Sequence, residues 1–116
     1  MGNELKIVRR EQSARSHEHH GILTQVIFES DSLEVLRTEM EAGTACDCED
    51  FGDHSAVHYV IDGTPVFRTS LHAADLMPGD SIVFSGKDRY TVSNCAPSRS
   101  VILSVLFRSF ATEARA

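Results

Sequence analysis

The chain reads as a single all-β domain, a barrel or sandwich of short strands. Three observations lead there. Short segments are rich in Val, Ile, Leu, Phe and Thr; turn-forming residues separate them at close intervals; and no segment carries a long helical period. At 116 residues there is room for one modest core. A hydrophobic fraction of 41% against 24% charged is that of a soluble globular protein.

The expected strands, in order, begin with Leu5–Val8. Ile22–Phe28 and Leu33–Met40 follow, parted by Asp31-Ser32, whose short polar side chains favour a turn. Ala42-Gly43 ends this pair. Val57–Asp62 and Pro65–Thr69 flank the turn Asp62-Gly63-Thr64-Pro65. Leu71–Leu76 has room for one short helical turn. Ser81–Phe84 emerges from Pro78-Gly79-Asp80, Tyr90–Val92 follows Ser85-Gly86, and Val101–Phe107 follows Pro97-Ser98. The last is apolar on both faces, which predicts a central strand covered on each side. Residues 1–20 read as a polar N-terminal arm, 21–108 as the barrel, and 109–116 as a small, polar tail that frays.

Charge and composition narrow the function classes. The formal net charge is −6 and the basic residues are scattered, which argues against a nucleic-acid surface. No run approaches the roughly 20 apolar residues that span a bilayer. The first residues lack the apolar core of a signal peptide. The expectation is a cytoplasmic protein with no membrane partner. Cys46, Cys48 and Cys95 form no disulfide framework, so free thiols are expected.

Pro78-Gly79-Asp80 before an apolar run, with Thr91-Val92-Ser93-Asn94 beyond it, resembles the second signature of the cupin family. Its glycine and asparagine fall on Gly79 and Asn94; its proline, second glycine and metal-binding histidine fall on Ser85, Lys87 and Tyr90. The first signature falls on Gly43 and Gly63 for its glycines, and on Glu49, Phe51 and Ala56 for its ligands. The turn framework thus matches across Gly43–Asn94, roughly half the chain, while the ligands do not. The resemblance implies a double-stranded β-helix, the cupin-like jelly-roll barrel, and a homodimer. It does not carry over the usual metal centre. Phe51 and Ala56 have no donor atom, and Glu49 with Tyr90 makes a poor site for a transition metal.

Several constellations could still carry chemistry. Alternation places His54, Ala56, His58 and Val60 on one strand face and Val57, Tyr59 and Ile61 on the other. Periodicity leaves open which face looks inward; the resemblance puts Ala56, and hence His58, inside. His54 and His58, with Cys46 or Cys48, are candidates for a relocated divalent transition metal. The alternative is loop thiols and histidines lining an uncharged pocket. His17-Glu18-His19-His20 is a second His cluster of the kind that binds metal, but the preferred reading is a solvated N-terminal arm. Tyr90 beside His58 could support proton transfer, as in metal-free cupin epimerases, or simply fill the space of a lost metal. Arg68, His72, Lys87 and Arg89 could meet an acidic ligand at the barrel mouth, or be solvated.

The leading expectation is a small-molecule-binding cupin domain without the usual metal and with no cofactor. Its small organic ligand would meet Phe51, His54, Ala56, His58 and Tyr90. The alternatives are a metal-dependent enzyme using His54 and His58, and a non-catalytic regulatory or scaffold cupin.

Overall fold

The computed structural model of the chain describes residues 7–9, 15–47, 54–86 and 88–108. Its strands are β1 (Arg15–His19), β2 (Ile22–Glu29), β3 (Leu33–Met40), β4 (Thr44–Asp47), β5 (His54–Asp62), β6 (Val66–Arg68), β7 (Ala73–Asp75), β8 (Ser81–Phe84), β9 (Thr91–Asn94) and β10 (Ser100–Arg108). They form a six-stranded sheet in the order β1-β2-β3-β10-β5-β8 and a four-stranded sheet in the order β4-β9-β6-β7. Every pairing is antiparallel. From β3 onward the chain passes repeatedly from one sheet to the other, which winds it into a jelly-roll barrel. Among the described residues no helix is long and apolar enough to cross a membrane.

Most of the strands expected from the sequence are present, and β3 and β8 have the expected limits. Three others carried too little apolar pattern to be read: β1, β4 and β7. The helical turn expected over Leu71–Leu76 is instead a bend at Ser70 and Leu71 followed by β7. Its residues pair with β6 in the register Val66↔Asp75, Phe67↔Ala74 and Arg68↔Ala73, so tertiary pairing overrides a weak local preference. Of the strand expected at Leu5–Val8, Ile7 and Val8 are not in a strand; Leu5 and Lys6 lie outside the described residues. The described end of the N-terminal arm is the edge strand β1. It joins β2 through His20 and Gly21, both at positive φ (49° and 84°), as a tight hairpin turn requires.

The Pro78-Gly79 turn shows how local sequence fixes a long-range contact. Pro78 presets φ for the first central position, and Gly79, at φ 95°, takes the second. Asp80 closes the turn twice, its N–H donating to Met77 O at 2.9 Å and its carboxylate accepting from Met77 N at 2.9 Å. The turn then docks on β5. Gly79 N donates to Val60 O, and Val60 N donates to Asp80 O, both at 2.9 Å.

The core lies between the sheets. One cluster holds Met40, Val60, Phe67, Leu76, Phe84, Tyr90, Val92 and Ile102. A second, toward one end, holds Val26, Leu36, Ala56 and Leu106. β10 is central, between β3 and β5, but among the described residues it is not covered on both sides as expected. Ile102, Ser104 and Leu106 face the core. Its other face continues an apolar row of direct cross-strand neighbours, Val35↔Val105↔Val57↔Val83, ending at Val83 with 66% of its surface exposed.

Candidate functional site

The register of β5 decides where the histidines point. Ala56, His58 and Val60 are buried, while Tyr59 and Ile61 keep 44% and 45% of their surface. Pairing with β10 sets this: Ala56 sits opposite Leu106, His58 opposite Ser104, and Val60 opposite Ile102. The more apolar face of the strand is thus the outward one. The face carrying His58 looks into the barrel, as the family resemblance implied.

Inside, His58 is 4% exposed and bonded at both ring nitrogens. Nδ1 lies 2.7 Å from Ser104 Oγ, and Nε2 lies 2.6 Å from the Tyr90 hydroxyl. The phenol is the more acidic hydroxyl. The consistent assignment therefore has Tyr90 donating to Nε2 and Nδ1–H donating to Ser104. Aromatic rings enclose the group. Tyr90 stacks on Phe84 with centroids 3.6 Å apart, and Phe67 lies 5.1 Å from the imidazole. Burial among these rings penalises the charged form and lowers the His58 pKa from 6.5 to about 4. The imidazole is neutral near neutral pH.

His58 and Ser104 form part of the wall of a cavity of about 120 Å³, shared with Thr24, Thr38, Met40 and Phe67 among others. Cys46 also lines it and is exposed, so it stands at the mouth. Thr24 and Leu36 line this cavity and also a wider groove of about 640 Å³ beneath β1, whose wall includes Arg15, His17 and Glu34. A separate open depression of about 270 Å³ takes in Arg68, Arg89, Asp47 and one side of Tyr90. His72 lines none of these, and Lys87 lies outside the described residues.

Of the residues proposed from sequence, the structure joins His58 and Tyr90 directly. Ala56 is buried in the second apolar cluster and does not line the His58 cavity. His54 is half-buried at the start of β5. Cys48, Glu49 and Phe51 lie outside the described residues. Cys46 and Cys95 are thiols, not joined as a disulfide. His17 and His19 stack on β1, with centroids 6.1 Å apart. Sequence reasoning missed Ser104, Phe67 and Met40. Ser104 did leave a signal, as the lone hydroxyl inside the apolar run Val101–Phe107.

The donor set does not fit a metal at the cupin positions. Phe51 and Ala56 have no donor atom, and the Tyr90 hydroxyl is bonded to His58. His54 and His58 lie on the same face of β5 with Ala56 between them, their Cα atoms roughly 13 Å apart along the strand. Among the described residues no group of three or more His, Cys, Asp or Glu side chains is placed to hold an ion.

The two turn signatures meet physically. Asn94 is fully buried, and its Nδ2 donates to Met40 O at 2.9 Å and Ser98 O at 2.8 Å. Its backbone carbonyl accepts from Gly43 N at 2.7 Å. Gly43, Gly63 and Gly79 all have positive φ, so each matched glycine serves a backbone need.

No protein-family model matches the chain, and no curated protein matches it. Solved structures do. An RmlC-like cupin from Shewanella frigidimarina superposes with a TM-score of 0.76 at 15% identity, over 95% of this chain and 96% of that one. KdgF from Halomonas sp. gives 0.75 at 14% identity, over 93% and 99%. A predicted oxalate decarboxylase from Thermotoga maritima gives 0.78 at 11% identity, over 90% and 100%. Likeness of architecture at such low identity, together with the alternating sheets and matched turns, establishes that this chain has the cupin jelly-roll fold.

Proposed function

We propose that the chain binds a small organic molecule in the cavity beside His58, without a metal. The observation that supports this is the cavity's make-up: a largely apolar wall with a few polar groups, His58, Ser104, Thr24 and Thr38, converging on it. That is the usual form of a small-molecule site. Binding is favoured over acid–base catalysis by His58 itself. With a pKa of about 4, it is a weak proton acceptor near neutrality, where a general base works best with a pKa close to the ambient pH.

The test uses protein purified without an affinity tag. Native mass spectrometry looks for a co-purifying organic molecule, and metal analysis of the same sample looks for transition metal. The expected result is an organic molecule that is lost from Thr38→Phe, which fills the cavity, with the fold retained by circular dichroism. Stoichiometric metal would overturn the metal-free reading. A bound molecule retained by Thr38→Phe would overturn the assignment to this cavity.

A further inference from the structure

Resting on that reading, we infer that the ligand is an uncharged molecule with a compact apolar body and one hydrogen-bonding group, such as an alcohol or ketone, and that carboxylates and phosphates are excluded.

The argument starts from the lining. Among the described residues no Arg, Lys, Asp or Glu lines the cavity. Its polar groups are the hydroxyls of Thr24, Thr38 and Ser104, the thiol of Cys46 and the imidazole of His58. None of these carries a charge to match an ion, because burial holds His58 neutral. Removing a carboxylate or phosphate from water without a paired charge is costly, so such a site rejects it. A single hydroxyl or carbonyl is different. It can exchange hydrogen bonds with Ser104 or a threonine at no cost in charge.

Size and access agree. An apolar cavity of about 150 Å³ accepts benzene, so about 120 Å³ suits a ring of similar or slightly smaller bulk. The adjoining groove, reached past Thr24 and Leu36, does not recruit anions. Its Arg15 is held by Glu29 at 3.2 Å and Glu34 at 2.9 Å, so its charge is compensated.

The test compares cyclopentanol with cyclopentanecarboxylate, which share a ring of about benzene's bulk and of which only the second is charged, on the full chain near neutral pH. The readout is the methyl resonance of Met40, which lines the cavity. Met77, 62% exposed and outside the cavity, is the internal control. Cyclopentanol is expected to shift Met40 saturably and leave Met77 unmoved. The carboxylate should bind roughly tenfold or more weakly, as the burial of an unpaired charge requires. Comparable or tighter binding of the carboxylate at Met40 would overturn the ligand class while leaving the cavity a binding site. If neither probe moved Met40, the class and the binding reading would both fall. The comparison needs only the native sequence, so it does not depend on any variant folding.

Discussion

The imidazole of His58 and the phenol of Tyr90 meet at 2.6 Å across the barrel interior. His58 stands on β5 of the larger sheet, and Tyr90 immediately precedes β9 of the smaller one. The bond therefore ties the two sheets together at the cavity wall. Tyr90→Phe keeps the ring and its stacking on Phe84 but removes this bond. A loss of roughly 1–3 kcal/mol is expected, the cost of removing one partner from a buried hydrogen bond. Chemical denaturation of the two proteins measures it, and equal midpoints would show the bond to be without net effect.

Acid should destabilise the protein through His58. Its folded pKa, about 4, lies below the ordinary value of 6.5. Between those values the unfolded chain takes up a proton that the native state refuses. Stability is therefore retained above pH 6.5 and lost progressively as pH falls toward 4. The full effect is about 3 kcal/mol. In His58→Phe the corresponding part of the pH dependence should disappear. Denaturation midpoints across this range test the sign, and a His58 ring resonance that titrates near 6.5 would contradict it.

Asn94 offers a sharper chemical test. Asp at this position has nearly the same shape but cannot donate to Met40 O and Ser98 O when ionised. Asn94→Asp should cost roughly 1–3 kcal/mol for each carbonyl left without that donor. A thermal unfolding midpoint unchanged from the native protein would be incompatible with this role.

Two glycines separate conformational need from space. Gly43 and Gly63 both have positive φ. A Cβ on Gly43 meets nothing within 4 Å, whereas one on Gly63 would lie 2.4 Å from Ser100 Oγ and 2.7 Å from Arg99 O. Gly43→Ala should therefore lose only the left-handed backbone penalty, roughly 1–2 kcal/mol. Gly63→Ala should lose distinctly more, because backbone must shift. Paired unfolding curves decide this, and the reverse order would contradict it.

Ala56 is closed in by Val26, Leu36 and Leu106. Ala56→Phe is expected to overpack this cluster at a cost of roughly 1–3 kcal/mol. A stability equal to the native protein's would mean that the added ring escapes into the groove that Val26, Leu36 and Leu106 also line.

Much of the fold was legible in the sequence. β2, β3, β5, β8 and β10 each carry enough Val, Ile, Leu and Phe to be read as strands, and Gly43, Gly63 and Gly79 mark turns that only glycine adopts readily. β4 and β7 were not legible. Thr44-Ala45-Cys46-Asp47 and Ala73-Ala74-Asp75 are short and nearly without periodicity, and they are strands because β9 and β6 offer free edges to pair with. The outward valine row was misleading in the same way. β10 reads as covered on both sides, yet only one of its faces meets the second sheet.

The sequence by itself determined the class of fold, the turn framework and the absence of donor atoms at two of the family's metal positions. Those follow from side-chain chemistry and backbone preference, which are local. Only the tertiary structure decided that His58 faces inward, because a strand's two faces alternate and pairing with β10 chooses between them. Only it brought Ser104 and Tyr90, distant in sequence, to the two nitrogens of one imidazole. And only it emptied that imidazole of charge, because desolvation depends on what packs around a group and not on its neighbours along the chain.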